Sequence, residues 1–366
     1  MTAIPIGNKW IGPSHKPFII AEMSGNHNQS LDRALQLVDA AADAGADALK
    51  LQTYTADTMT VRGALTINDA NSLWNGQELY ELYQQAHTPW EWHRPIFERA
   101  RQRGMVAFSS PFDATAVDFL ESLNVPAYKI ASFENTDIPL LKKVAQTGKP
   151  VIMSTGVATL SDIDTAVRVL RENGCTDLVL LKCTSTYPAS PDTCHLKTIP
   201  HLAQMFDLPV GLSDHTLGIG VAVAAVALGA QVIEKHFTLD RADGGVDSAF
   251  SLEPHELEAL VRETERAFLA LGEIRYGIGK SEKDSRKFKR SVYVVKDIEA
   301  GQTFTEDNLR VIRPGLGLEP AYFEKLLGRK APVNLRAGTP LRWDLLFEKV
   351  ESPETDFFAG DHLLPI

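Results

Sequence analysis

Two histidines stand out by type and placement: His215 in GLSDHT and His236 in VIEKHF, each closing a short apolar, strand-like run. Imidazoles delivered by consecutive strands can hold one divalent ion and leave its remaining positions open, as a metal that must touch substrate requires. A histidine at a strand end can equally be a hydrogen-bonded structural residue. The rest of the chain favours chemistry, because nearly every other strand-like run also ends on a polar residue. Lys50, Lys129 and Lys182 each interrupt such a run. Burying an unpaired ammonium is costly unless an anion or carboxylate lies beside it. These lysines therefore form internal Lys–Glu pairs or, with the serines at the same ends, cradle a small multiply charged anion such as a phosphate or carboxylate.

The elements that must position these groups are eight runs rich in branched residues: FIIAEM (18–23), ALKLQT (48–53), MVAFSS (105–110), AYKIAS (127–132), PVIMST (150–155), DLVLLKCT (177–184), PVGLSD (209–214) and QVIEKHF (231–237). Helical patterns lie between them. Leu31, Leu35, Val38 and Ala42 repeat at helical spacing, and a second helix over 161–173 stops at Gly174. Near-continuous apolar strands alternating with helices imply an α/β fold with a parallel sheet. Eight such units in about 275 residues predict a (β/α)8 TIM barrel, and no GxGxxG follows the first strand to support a dinucleotide fold. A barrel gathers its chemistry at the carboxyl ends of its strands. Those ends carry Glu22, Lys50 with Gln52, Ser109 with Ser110, Lys129 with Ser132 and Glu134, Ser154, Lys182 with Thr184, Ser213 with His215, and Glu234 with His236.

Composition narrows the class further. The chain has 366 residues, 44% of them hydrophobic, which suits one large domain and a small one. Lysine plus arginine is 37 against 47 acidic residues, a net charge of −10, which argues against nucleic acid or an anionic membrane as partner. The three cysteines, Cys175, Cys183 and Cys194, are odd in number and lack CxxC spacing, as expected of incidental thiols in a reducing cytoplasm. No uncharged segment reaches the roughly 18 residues of a membrane span, so a soluble cytoplasmic protein is expected. The barrel should occupy residues 1–276, a polar basic linker 277–289, a small domain of short strands 290–350, and a tail 351–366.

PFIIAEMSGNHNQS, GADALKLQTYTADTMT, FSSPFD, AYKIASFE, STGVAT, KCTSTYP, GLSDHT and ALGAQVIEKHF resemble, in order and spacing, the bacterial sialic acid synthase family. The segment RSVYVVKDIEAGQTFTEDNLRVIRPGLGL is similar to the antifreeze-like SAF domain that such synthases carry at the C-terminus. The resemblance implies condensation of phosphoenolpyruvate with an open-chain amino sugar and release of phosphate. It implies a divalent metal (Mn2+, Co2+ or Mg2+) on His215 and His236, and phosphoenolpyruvate contacts at Lys50, Ser110, Lys129, Ser132, Ser154, Ser185 and Ser213. Sugar contacts fall on Glu22, Gln52, Tyr187 and Asp247, and Glu134 takes the place of a carboxylate facing the reacting centre. Arg313 matches an SAF-domain arginine that reaches the partner's sugar in a domain-swapped homodimer. Neuraminate synthases have asparagine where this chain has Ser185, which keeps a donor and loses the amide's reach. With LQTYTADTMT and ELYQQAHTPWEWH, that substitution resembles the pseudaminate branch of the family, whose substrate is a 6-deoxy diacetamido sugar. Such a sugar asks for a more apolar pocket, for which Trp74, Tyr54 and Met59 are candidates, each also explicable as packing. Competing expectations are neuraminate or legionaminate synthesis, a metal-dependent aldolase, and a silent sugar-binding protein.

Overall fold

The eight branched-residue runs lie side by side in the computed structural model, which describes residues 3–70 and 72–347. The tail expected over 351–366 lies outside them. An N-terminal hairpin, β1 (Ile4–Ile6) and β2 (Lys9–Ile11), precedes the barrel strands β3 (Phe18–Glu22), β4 (Ala48–Thr53), β5 (Val106–Pro111), β6 (Tyr128–Ile130), β7 (Val151–Ser154), β8 (Leu178–Cys183), β9 (Val210–Asp214) and β10 (Val232–His236). β3 to β10 close in chain order, β10 pairing back onto β3, and every barrel pairing is parallel. The TIM barrel expected from the alternating pattern is the fold.

Strand parity sorts the residues. Phe18, Ile20, Ala48, Phe108, Ile152, Val179, Leu181 and Val232 share one buried cluster with Ile4, Ile6 and Ile11 of the hairpin. Residues of the other parity, such as Ile19, Leu49, Leu51, Met153, Leu178, Leu180 and Ile233, pack in the larger cluster with the helices. Side chains alternate faces along a strand, so Glu22, Lys50, Ser110, Lys129, Ser154, Ser213, Glu234 and His236 continue the inward rows at the carboxyl rim. The register aligns His236 with Glu22 and Glu22 with Lys50. Lys182 has the parity of Leu178 and Leu180, which removes it from the inward set proposed for the three lysines. Gly211 is needed for packing, since a Cβ there would lie 2.3 Å from the Val232 carbonyl oxygen.

The hairpin was not legible as an element. Its two-residue Gly7–Asn8 connection puts Gly7 at φ 60°, the positive value that the first position of a type II′ turn requires.

The helix at Leu31–Asp43 is capped by the Ser30 side chain, which accepts from Arg33 N, and buries Ala34, Leu37, Val38 and Ala41. The helix at Leu160–Glu172 opens with a Thr159–Asp162 capping box and stops before Gly174, at φ 108°. The strand expected over 127–132 is shorter, because Ser132–Glu134 turn into a single 3-10 step. Among the described residues no helix is long and apolar enough to cross a membrane.

The chain divides into two compact units between Glu273 and Ile274. The second contains an antiparallel pair, β11 (Ser291–Val294) and β12 (Leu309–Ile312), over a core of Val292, Val294, Ile298, Phe304, Leu309, Leu326 and Leu341. The 277–289 stretch falls within this unit and forms short 3-10 turns, and Lys287 O accepts from Gly315 N at 2.9 Å.

Candidate active site

Two lysines and two glutamates interlock at the floor of the rim. Lys50 Nζ lies 2.5 Å from Glu22 Oε2 and 3.8 Å from Glu234 Oε1, and Lys129 Nζ lies 3.7 Å from the same Glu234 oxygen. Serines complete the ring: Lys50 donates to Ser110 Oγ at 3.4 Å, Lys129 to Ser154 Oγ at 2.6 Å, and Ser213 to Glu234 Oε1 at 3.2 Å. Gln52 donates to Glu22 Oε1 at 2.9 Å. The lysines are thus paired, and their hydroxyl neighbours make the place polar enough to receive an anion. Lys182 instead donates to Thr184 Oγ1 at 2.5 Å.

Burial and charge push the carboxyls apart. Burial raises Glu22. Burial also opposes ionisation of Glu234, but the Lys129 and Lys50 ammonium groups outweigh it and hold its carboxyl below the ordinary range. Burial lowers Lys129 despite Glu234, whereas Glu22 and Glu234 overcome burial at Lys50 and raise it. Glu134 closes the 3-10 step after β6, and burial pushes its carboxyl up to about 7 against the Lys129 charge. Its Oε2 is buried without a hydrogen-bond partner. Carboxyls separated in this way can divide acid and base roles.

The loops after β6, β7 and β8 converge on a second polar group. Asn135 Nδ2 donates to Ser154 O at 3.4 Å and Gly156 O at 3.0 Å, fixing the turn after β7. A Cβ on Gly156 would lie 2.1 Å from Ser185 Oγ and 2.6 Å from Ser132 Oγ, so glycine admits both hydroxyls. Cys183, one of three buried free thiols, contacts Ser185 Oγ at 3.6 Å and His215 Nδ1 at 3.9 Å. Burial opposes the thiolate, but the His215 contact prevails and brings Cys183 down to about 7.

The histidines meet above this floor, with ring centroids 5.4 Å apart. His215 Nδ1 donates to Thr184 O at 2.9 Å, which leaves its Nε2 for another partner. Burial works against charge on His215, but the Cys183 contact raises it. His236 is held well below the usual imidazole value by burial and by the positive charge of His215 and Lys50, so its ring is neutral. Its Nδ1 is buried without a hydrogen-bond partner, 3.6 Å from Asp247 Oδ2. Among the described residues no group of three or more His, Cys, Asp and Glu side chains forms a metal cage. Two close imidazoles, one with an orphaned nitrogen, fit an ion whose other positions belong to substrate or water.

The sugar-side candidates surround the histidines. Tyr187 has its ring centroid 4.4 Å from His215, and Asp247 accepts from Ser24. Trp74 packs 5.9 Å from Tyr187 and donates from Nε1 to Val246 O at 3.0 Å, so it belongs to this wall. Tyr54 is buried edge-on against Tyr83 and Phe112, a packing role, and Met59 is half-buried. Arg313, exposed, lies in the second unit. The sequence puts Glu234 at the rim without a role, although its spacing of two from His236 sets both on one face. Asn135 and Gly156 act through contacts that no local motif announces.

A TIM barrel with paired histidines above a lysine–glutamate floor, followed by a small β unit, defines the class, and the comparisons name it. Residues 37–276 match the model of the NeuB family and residues 289–346 that of the SAF domain. The chain belongs to the NeuB family. It is 44% identical over 338 residues to the pseudaminic acid synthase of Campylobacter jejuni, covering 92% of this chain and 98% of that one. To the N,N'-diacetyllegionaminic acid synthase of the same species it is 37% identical over 334 residues, covering 89% and 99%. Among solved structures, an N-acetylneuraminic acid synthetase from Leptospira borgpetersenii superposes with a TM-score of 0.71 at 35% identity, covering 78% of this chain and 95% of that one.

Proposed function

We propose that this chain is a pseudaminic acid synthase, condensing phosphoenolpyruvate with 2,4-diacetamido-2,4,6-trideoxy-L-altrose and water to give pseudaminic acid and phosphate. The observation that carries the chemistry is the convergence of Lys50, Lys129 and their serines beneath His215 and His236. The higher identity to the pseudaminic than to the legionaminic acid synthase of one species favours the sugar.

In this reading Lys50 and Lys129, with Ser110, Ser132, Ser154, Ser185 and Ser213, hold the phosphate and carboxylate of phosphoenolpyruvate so that its methylene carbon faces the aldehyde. Gln52, Glu22, Tyr187 and Asp247 orient the open-chain sugar. A divalent ion (Mn2+, Co2+ or Mg2+) on His215 and His236, when bound, supplies Lewis acidity for the aldehyde oxygen. The methylene carbon bonds to the aldehyde carbon as the aldehyde π bond breaks, water adds at carbon 2 while Glu134 takes its proton, and that proton balances the one the new alkoxide gains to become a hydroxyl. The bond between carbon 2 and the bridging oxygen then breaks and phosphate departs. The enzyme is read as a cytoplasmic homodimer in which Arg313 of each chain reaches the partner's sugar site.

Heavy oxygen placed at the bridging position of phosphoenolpyruvate tests the bond cleavage. It should emerge in inorganic phosphate, and only when sugar is present. Label retained in the keto acid would mean attack at phosphorus and a different reaction.

A further inference from the structure

Lys235 sits on β10 between Glu234 and His236, so strand alternation turns it away from the site and towards the helices, where its neighbours in parity are Ile233 and Phe237. It is only 1% exposed. Its Nζ donates to Asp214 Oδ2 at 3.0 Å, Thr216 O at 2.5 Å and Gly218 O at 2.9 Å, which uses all three ammonium donors. Asp214 Oδ1 in turn accepts from Thr216 N at 2.9 Å and Thr216 Oγ1 at 2.8 Å. The acceptors are the last residue of β9 and the segment leaving it, the segment that carries His215.

A buried ion pair in an apolar layer adds little net stability, because desolvation offsets the attraction and an apolar residue of similar volume serves as well. What the pair adds is geometry. Ladder contacts between β9 and β10 end at Asp214 and Lys235. Beyond that point the ammonium, through the Thr216 and Gly218 carbonyls, fastens the 214–218 turn to the strand bearing His236. We propose that Lys235 and Asp214 are positioning residues that set His215 against His236 for a divalent ion. The inference rests on the metal reading above and extends it to residues that touch neither ion nor substrate.

The test uses full-length protein stripped with chelator and titrated with Mn2+ by calorimetry and with Co2+ by visible absorption. K235M/D214N removes both charges together and leaves neither orphaned. We expect its affinity for either ion to fall about 10- to 100-fold, as when partners of metal ligands are removed, and its Co2+ spectrum to change, with phosphoenolpyruvate affinity close to wild type and a melting temperature lowered because the Thr216 and Gly218 carbonyls lose their donor. If that variant does not fold, D214N alone keeps the two carbonyl partners of the ammonium and should show a smaller loss in the same direction. Unchanged ion affinity and spectrum in a folded variant overturns the proposal while leaving the metal reading intact. Wild-type protein that binds neither ion removes both.

Discussion

Burial raises the Glu134 carboxyl to about 7, so it is half ionised near neutrality and suited to taking and returning a proton. As the proposed base it must be ionised, and turnover should therefore fall as pH drops through about 7. Glu134→Gln should lower kcat by roughly 10²- to 10⁴-fold and abolish that acid limb in a kcat–pH profile. A limb that survives in the variant belongs to another group. At this scale the sequence exposed much of the site, because alternation along a strand is local and places Lys50, Lys129, Ser154 and His236 at the rim without knowledge of the fold. The same alternation, applied strictly, separates Lys182 from the other two lysines and joins Glu234 to His236. What it could not supply is partner choice. Glu22 and Lys50 face each other on consecutive strands, but that Glu234 reaches both lysines depends on the closure of β10 onto β3, across more than two hundred residues of chain.

The strands were readable as elements because parallel barrel strands are buried on both faces and so appear as unbroken apolar runs. Helix ends were readable from Gly174, and Ser30 and Thr159 hold the starts of their helices by side-chain caps. β6 is where the run misleads. Ala131 and Ser132 continue its composition, but the chain turns there, and Asn135 clamps the neighbouring loop at Ser154 and Gly156. The N-terminal hairpin is hidden in the sequence for a related reason. Ile4, Ile6 and Ile11 look too sparse to form a core segment, and become one only against Ile20, Phe108 and Val179 of the closed barrel.

At the scale of the whole molecule, the second unit has, among its described residues, no constellation to match that of the barrel, and the role proposed for Arg313 makes it part of a partner's site. The two defects are then separable by mixing. Arg313→Ala and His236→Ala homodimers should each be nearly inactive, whereas co-expressed chains should recover about a quarter of wild-type activity, since half of randomly paired dimers are mixed and each has one intact site. Mixed dimers without activity would confine Arg313 to its own chain or to no role. The most direct test of the central claim is phosphate release from phosphoenolpyruvate with each candidate sugar in turn. The account predicts that 2,4-diacetamido-2,4,6-trideoxy-L-altrose supports release far better than N-acetylmannosamine or the legionaminate precursor. Comparable rates with all three, or release favouring another sugar, would contradict it.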